Sequence, residues 1–442
     1  MMVKILITDA HSISNVGSAA VLENTILHLK RFIPEAKFII SANNPETISK
    51  FTGEDTIPEF FIRPAILGTH WKRLKWFLPN FLWLVFNSIN LLLTKIGFPY
   101  CFPLYTYSRR RKEVIKAYLD SDVVISIGAE RINDNFRPQL PFALYGYWFG
   151  KMLKKPVVLY AQTIGPFRHK LSRWLTKKIL NKVDIITVRD KRSRILLDEM
   201  GITNPKIELV ADPAILQQTV SPTEAEKLLL AEGVDRSQRP LIGISVLKWT
   251  YVNARENKDP QTYYREYVSS IAKLADYLVE KIGAGVVFVS TNFARYNNRD
   301  DDVMVAKGVR RQMRHSDKAW VLEKLYSPKE LKGIIGQMEM FIASRMHSCI
   351  FSTGMAVPTL ALNYQFKLYE YMKLLGMEEM TCDFDRVSFD RVRPLADSLW
   401  ADRNQIRKLR LEFYEGFLPL LYRCLLYTSD AADEGFGVDL VG

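Results

Sequence analysis

Short apolar runs closed by polar or turn residues alternate along this chain with stretches of helical period, the pattern of strands and helices laid down in turn. Residues 3–8 read as a first strand. A loop from His11 to Ala20 follows, a helical pattern from Ala19 to about Phe32 stops near Pro34, and 37–41 is the next strand. Further strands are read at 122–127, 156–160, 185–188 and 208–210, each ending in a polar or turn-rich loop: Gly128 to Arg131, Ala161 to Pro166, Arg189-Asp190 and Ala211 to Pro213. A shift in composition at 221–239 precedes a strand at 241–246, a helix over about 263–281 and a strand at 285–290. Ser327-Pro328-Lys329-Glu330 has the form of a capping box with proline at the first helical position, so a helix over 328–337 should feed a strand at 338–343. The run 358–362 is the next strand, and beyond Pro394 a helical pattern covers about 395–421.

This alternation predicts an α/β chain with parallel sheets. The expected division is an N-terminal Rossmann-like domain (1–220) with an atypical insert at about 55–112, a second such domain (221–385), a helical segment (386–426) and a tail without period (427–442). Polar loops at the same ends of successive parallel strands converge on one crevice. Taken singly, each is as readily a turn or a helix cap.

The densest chemistry lies at Ser344-Arg345-Met346-His347-Ser348, where a buried strand ends on an arginine and a histidine and small residues open a helix. That combination builds an anion site with an acid/base group beside it. Ser348 and Cys349 leave room for backbone N–H groups to face a ligand. Arg189 ends another strand and is read either as a ligand for an anion or as the partner of a neighbouring acid such as Asp190. The acids of the polar stretch 295–302 are read as loop charges.

At 442 residues the chain is too long for one core, and 48% hydrophobic with 25% charged residues is ordinary for a globular protein. Four cysteines at no metal-ligand spacing point to a reducing compartment, and with no signal peptide before the first strand the cytoplasm is expected. The net charge of +13 fits either an anionic partner or a solubilising surface. The stretch from Trp76 to Thr94 carries no charge and lies between Lys72, Arg73 and Lys75 on one side and Arg109-Arg110-Arg111-Lys112 on the other. As a helix it would span about 28 Å, near the thickness of a bilayer core. A single crossing would put the strands at 3–8 and 122–127 on opposite sides of the membrane, and Pro79, Asn80, Asn87 and Asn90 interrupt the stretch. Two readings stand: a segment lying in a membrane interface as a peripheral anchor, or a buried or oligomeric helix.

Seven segments together resemble the polysaccharide pyruvyl transferases. They are Asn15-Val16-Gly17-Ser18-Ala19-Ala20, residues 122–126, Tyr160 to Phe167, Val188-Arg189-Asp190-Lys191-Arg192-Ser193, Ala211-Asp212-Pro213, Ser344 to Ser348, and Tyr364-Gln365-Phe366-Lys367. The resemblance implies two Rossmann-like domains facing a cleft, like glycosyltransferase-B proteins; from the sequence, the helix beyond Pro394 is expected to pack back on the first domain. The resemblance also implies transfer of a pyruvyl unit from phosphoenolpyruvate to a sugar of a cell-surface polysaccharide or its lipid-linked precursor, as a ketal across two hydroxyls. By the same token Arg189 and His347 are the catalytic candidates. Arg345, Lys367, Ser348, Asn15, Gly17, Gln162 and Asp190 are the substrate-binding ones. Neither a cofactor nor a metal nor nucleic acid is expected.

The side chains suit that chemistry on their own terms. Phosphoenolpyruvate carries a carboxylate and a phosphate, which call for the guanidinium forks of Arg189 and Arg345 and the point charge of Lys367. His347 can lend or take a proton near neutral pH. Asn15 and Gln162 would orient hydroxyls or bond within their own loops. Two competing readings are a nucleotide-sugar glycosyltransferase of the same architecture and a non-catalytic scaffold at the membrane.

Overall fold

The computed structural model describes residues 2–10, 12–61, 70–95, 108–128, 130–235, 237–248, 259–293 and 301–408. The segments 294–300 and 409–442, the latter including the predicted tail and the end of the predicted C-terminal helix, lie outside the described residues. Contacts group Met1–Ile13 with Val21–Asp212 as one unit and Ser14–Ala20 with Pro213–Arg423 as the other.

In the first unit the elements are β1 (Lys4–Ala10), α1 (Val16–Phe32, whose first five residues group with the second unit), β2 (Lys37–Ala42), α2 (Pro45–Thr52), β3 (Asp55–Pro58), α3 (His70–Lys95), α4 (Arg109–Asp120) and β4 (Val123–Ile127). They continue with α5 (Leu140–Met152), β5 (Val157–Gln162), α6 (Lys170–Leu180), β6 (Ile185–Val188), α7 (Lys191–Glu199) and β7 (Lys206–Leu209). The strands form one parallel sheet in the order β3-β2-β1-β4-β5-β6-β7. Parallel strands covered on both faces need continuous apolar runs, and β5, buried throughout, shows why such runs are so readable in this sequence.

The second unit contains α8 (Pro222–Ala231), β8 (Leu241–Ser245), α9 (Pro260–Ile282), β9 (Gly285–Phe288), α10 (Asp302–Gln312), β10 (Ala319–Val321) and α11 (Pro328–Ile335). It ends with β11 (Met340–Ala343), α12 (Met346–Gly354), β12 (Thr359–Asn363), α13 (Phe366–Leu374), β13 (Thr381–Asp383) and α14 (Phe389–Ala401). Its sheet, also parallel, runs β10-β9-β8-β11-β12-β13. In each sheet the chain leaves from a central strand in one direction and returns to its other side, so β1/β4 and β8/β11 are topological switch points. Ligands of such sheets bind outside the carboxyl ends of the strands at these points.

The capping box forms as expected: Ser327 Oγ accepts from Glu330 N, and the Glu330 carboxylate accepts from Ser327 N at 2.8 Å. What the pattern did not reveal are three of the four sheet edges. β3 and β13 are three or four residues long and lack an apolar run, and β10 is only the three residues Ala319-Trp320-Val321; the fourth edge, β7, is the one read, at 208–210. The ends of the predicted insert are therefore regular elements, β3 at the sheet edge and α4 opening on the arginine cluster. α14 starts before Pro394 rather than after it and packs on α9 and beside β12 and β13 of its own unit.

Lys332 on α11 turns inward and donates to the carbonyls of Ile215 (3.4 Å) and Gln217 (2.5 Å). Burial pushes its ammonium down to about 8, so this lysine is an internal tie for the segment that follows Asp212.

Candidate functional site

At the switch point of the second sheet, β11 is an entirely buried Met-Phe-Ile-Ala strand that delivers its successor residues to the carboxyl edge. The turn there is braced by hydroxyls. Ser344 N donates to the Ser245 hydroxyl at 3.0 Å, and Ser344 Oγ lies 2.8 Å from Tyr267 Oη. Ser348 Oγ sits 2.7 Å from Ser245 Oγ and donates to the Arg345 carbonyl at 2.8 Å. Arg345 then caps α12 in an extended conformation, and His347 rides on the first turn of that helix. Ser348 is thus completely buried, a brace for the turn instead of an outward-facing ligand.

Arg345 reaches sideways to Asp302, with Nε 3.2 Å from both carboxylate oxygens and Nη2 2.5 Å from Oδ1. Asp302 is fully buried at the start of α10 and also accepts from Thr291 N (3.2 Å) and Asn292 N (3.0 Å). Burial outweighs the Arg345 charge and holds its carboxyl above the usual range. Asp302 is therefore no solvated loop charge, as the sequence suggested. Arg345, expected to fork onto a substrate, forks onto this carboxylate.

The amino-terminal segment Ser14–Ala20 belongs to this same unit. Val16 N donates to Thr291 O at 2.9 Å and Phe293 N to Ser14 O at 2.8 Å, which fixes the loop against the end of β9. Asn15 Oδ1 accepts from Ser18 N at 3.0 Å, the loop-bonding alternative for this side chain. Gly17 has a more specific role. A Cβ built on it would lie 2.0 Å from His347 Nδ1 and 2.1 Å from Cγ, so the imidazole rests directly on the glycine backbone. Gly17 has no positive φ, so proximity to the ring, and not backbone freedom, is what requires glycine here.

One strand over, β12 ends on Asn363, which is 6% exposed; neither its Nδ2 nor its Oδ1 has a hydrogen-bond partner. Gln365 Oε1 and Ser290 Oγ, the latter just past β9, are likewise buried without partners. Buried polar atoms in native proteins are nearly always satisfied by protein, water or a ligand, so these atoms at the carboxyl ends of β9 and β12 are candidate contacts for a bound molecule. Lys367, buried on the first turn of α13, holds its ammonium 5.5 Å from the Tyr364 ring centre. His347, Lys367 and Asn363 therefore share the carboxyl edge of two adjacent strands, beside two helix N-termini whose dipoles favour an anion. The sequence named His347 and Lys367 as candidates. Asn363 it missed, the only signal being a polar residue closing an apolar run.

In the first unit the candidates are more committed. Arg189 Nε donates to Thr163 Oγ1 at 2.9 Å and Nη1 to Asp212 Oδ2 at 2.6 Å, and the pair's side chains are 4% and 2% exposed. The ion-pair alternative holds, but with Asp212 instead of Asp190. Asp190 caps α7, accepting from Ser193 N at 2.7 Å and Ser193 Oγ at 2.9 Å. Gln162 Nε2 donates to Ser126 O at 3.0 Å and to its hydroxyl at 3.1 Å, tying the ends of β5 and β4. At this sheet's switch point sits a network the sequence did not announce. Asp9, at φ 63° in a bulge of β1, accepts from Ser126 Oγ (2.6 Å), Tyr147 Oη (2.9 Å) and Arg131 Nη1 (2.8 Å). Arg131 Nη2 continues to Glu59 at 2.8 Å, and burial raises the Glu59 carboxyl despite that partner. Among the described residues no three His, Cys, Asp or Glu side chains are grouped to hold a metal ion.

Comparison with known proteins bears on the family and the fold. Residues 15–365 match the family model described as polysaccharide pyruvyl transferase. The amylovoran biosynthesis protein AmsJ of Erwinia amylovora is 25% identical over 384 residues, 86% of this chain and 88% of that protein. Among solved structures, a UDP-N-acetylglucosamine 2-epimerase aligns with a TM-score of 0.55 at 13% identity, covering 93% of this chain and 90% of the other. A glycosyltransferase from Rickettsia africae aligns at 0.53 and 12% identity, covering 98% of each. These two likenesses establish a glycosyltransferase-B-like fold and nothing of the reaction.

Proposed function

Because this chain belongs to the polysaccharide pyruvyl transferase family, and so has a transferase role in making polysaccharide, we propose that it moves pyruvate from phosphoenolpyruvate onto a sugar as a ketal. The observation that carries the reading is the imidazole of His347 seated on Gly17 at a switch point, with Lys367 and the unpartnered Asn363 on the neighbouring strand's end.

In this reading the phosphate and carboxylate of the donor lie against Lys367 and the N-termini of α12 and α13, while Asn363 supplies the amide donor and acceptor that otherwise have nothing to bond. His347 protonates the methylene carbon, which makes the adjacent carbon electrophilic. A sugar hydroxyl adds there, phosphate departs, and a second hydroxyl closes the ketal. The two hydroxyl protons end on the new methyl group and on phosphate, so no redox partner is needed. Asn363→Leu should weaken phosphoenolpyruvate binding by about tenfold, the worth of one or two charge-assisted hydrogen bonds, without lowering the melting temperature, since it leaves no new orphan.

The binding test is a thermal-shift titration with phosphoenolpyruvate and, separately, with nucleotide sugars. A ligand that binds only the folded state raises the melting temperature in proportion to the logarithm of its saturation. Phosphoenolpyruvate should stabilise wild type more than it stabilises Asn363→Leu. Stabilisation by a nucleotide sugar alone would instead favour the glycosyltransferase reading.

A further inference from the structure

α3 is amphipathic in the reverse sense for a surface helix. Its polar residues face inward: Asn80, Asn87 and Asn90 are buried with Trp83 and Leu91. Asn87 Nδ2 donates to Tyr145 Oη at 2.5 Å, and Asn80 Oδ1 accepts from Arg111 Nη2 at 2.6 Å, with that guanidinium 4.4 Å from the Trp83 ring centre. Its apolar residues face out. Leu78, Leu82, Phe86, Ile89 and Leu93 form one stripe at helical spacing, each between 39% and 50% exposed. A continuous apolar stripe of this length is rare on a soluble surface and marks a docking face.

The helix does not cross a bilayer, although Lys75–Leu93 is long and apolar enough to do so. β1 and β4, which precede and follow it in the chain, are hydrogen-bonded neighbours, with Ile5 opposite Val123, so both lie on one side. One face of α3 is also built into the protein by its asparagines. The next helices of the same layer continue the theme: α3 packs on α5, and α5 on α6, where Leu171 (65% exposed) and Trp174 (56%) project from a helix with basic and no acidic residues. Lys75 on α3, Lys112 and Lys116 on α4, and Lys170, Lys177 and Lys178 on α6 are exposed.

We propose that this helix layer of the first unit docks on an anionic lipid surface, with α3 lying in the membrane plane and its stripe among the acyl chains. The lysines select the occupant. A second copy of the chain would set these cations against one another, whereas anionic headgroups complement them and the tryptophan finds its usual place at an interface. The docking is independent of the reaction proposed above.

The test is co-sedimentation of the full chain with vesicles of phosphatidylcholine alone or mixed with phosphatidylglycerol, at low and high salt. A variant carrying Leu82→Gln, Phe86→Gln and Ile89→Gln is compared with wild type. All three side chains are exposed, so the melting temperature should stay within about 2 °C, in line with the small effect of surface substitutions. Wild type should partition to the anionic vesicles, less at high salt, and the triple variant should bind at least about tenfold more weakly, as expected from the lost acyl burial. Absence of wild-type binding, or equal binding by the variant, would overturn the proposal. So would a lipid-free dimer in sedimentation velocity that the triple variant dissociates, since a second copy would then cover the stripe.

Discussion

His347→Ala should lower the rate of phosphate release by about 10²–10⁴-fold, the usual loss when a positioned acid/base group is removed, while the affinity for phosphoenolpyruvate changes little. The split follows from the proposed reaction, in which the imidazole carries the proton while Lys367 and the two helix N-termini hold the donor's anionic groups. Gly17→Ala is the companion experiment. Its methyl would fall 2.0 Å from Nδ1, so the ring must move off its seat and turnover should fall toward that of His347→Ala. Steady-state kinetics and calorimetric titration of phosphoenolpyruvate check both variants. A near-normal rate in His347→Ala would remove the residue from the mechanism.

Arg189→Ala should destabilise the first unit by about 3–5 kcal/mol, because it strands the Asp212 carboxylate in a site from which water is excluded. This alters what the motif alone suggests. An arginine closing a strand reads as an anion ligand, but here two of its nitrogens are engaged by Thr163 and Asp212. Replacing both partners, Arg189→Met with Asp212→Leu, should recover most of the lost stability, which a wild-type carboxylate in the single variant cannot do. Urea unfolding followed by tryptophan fluorescence measures this. A single variant that melts like wild type yet binds phosphoenolpyruvate poorly would return Arg189 to the list of donor ligands.

Much of the fold is legible because parallel strands buried on both faces announce themselves as apolar runs. The strand at 185–188 coincides with β6, and the capping box starts α11 at the expected proline. Three of the four edge strands escape notice: β3 and β13 because they are short and partly exposed, β10 because three residues are too few to stand out. The site is half legible. His347 and Lys367 follow from their position after buried strands, whereas Ser348 and Arg345 look the same in sequence and prove to be a brace and the counter-charge of Asp302. Which polar side chain turns in and which turns out depends on partners more than forty residues away, such as Asp302 for Arg345. α3 shows the same limit. Its composition reveals an apolar helix, but only the contacts with Tyr145 and Arg111 reveal that the asparagines are its inner face.

The central claim, pyruvyl transfer by the second unit's switch-point site, is tested most directly by following the carbon. The protein is incubated with phosphoenolpyruvate labelled in its carbon skeleton and with a panel of free and lipid-linked sugars, and the acceptors are analysed by mass spectrometry alongside phosphate release. The expected result is an acid-labile labelled pyruvyl ketal on an acceptor, formed in step with phosphate and abolished by His347→Ala. Phosphate release without label on any sugar, or label transfer undiminished in His347→Ala, would contradict it.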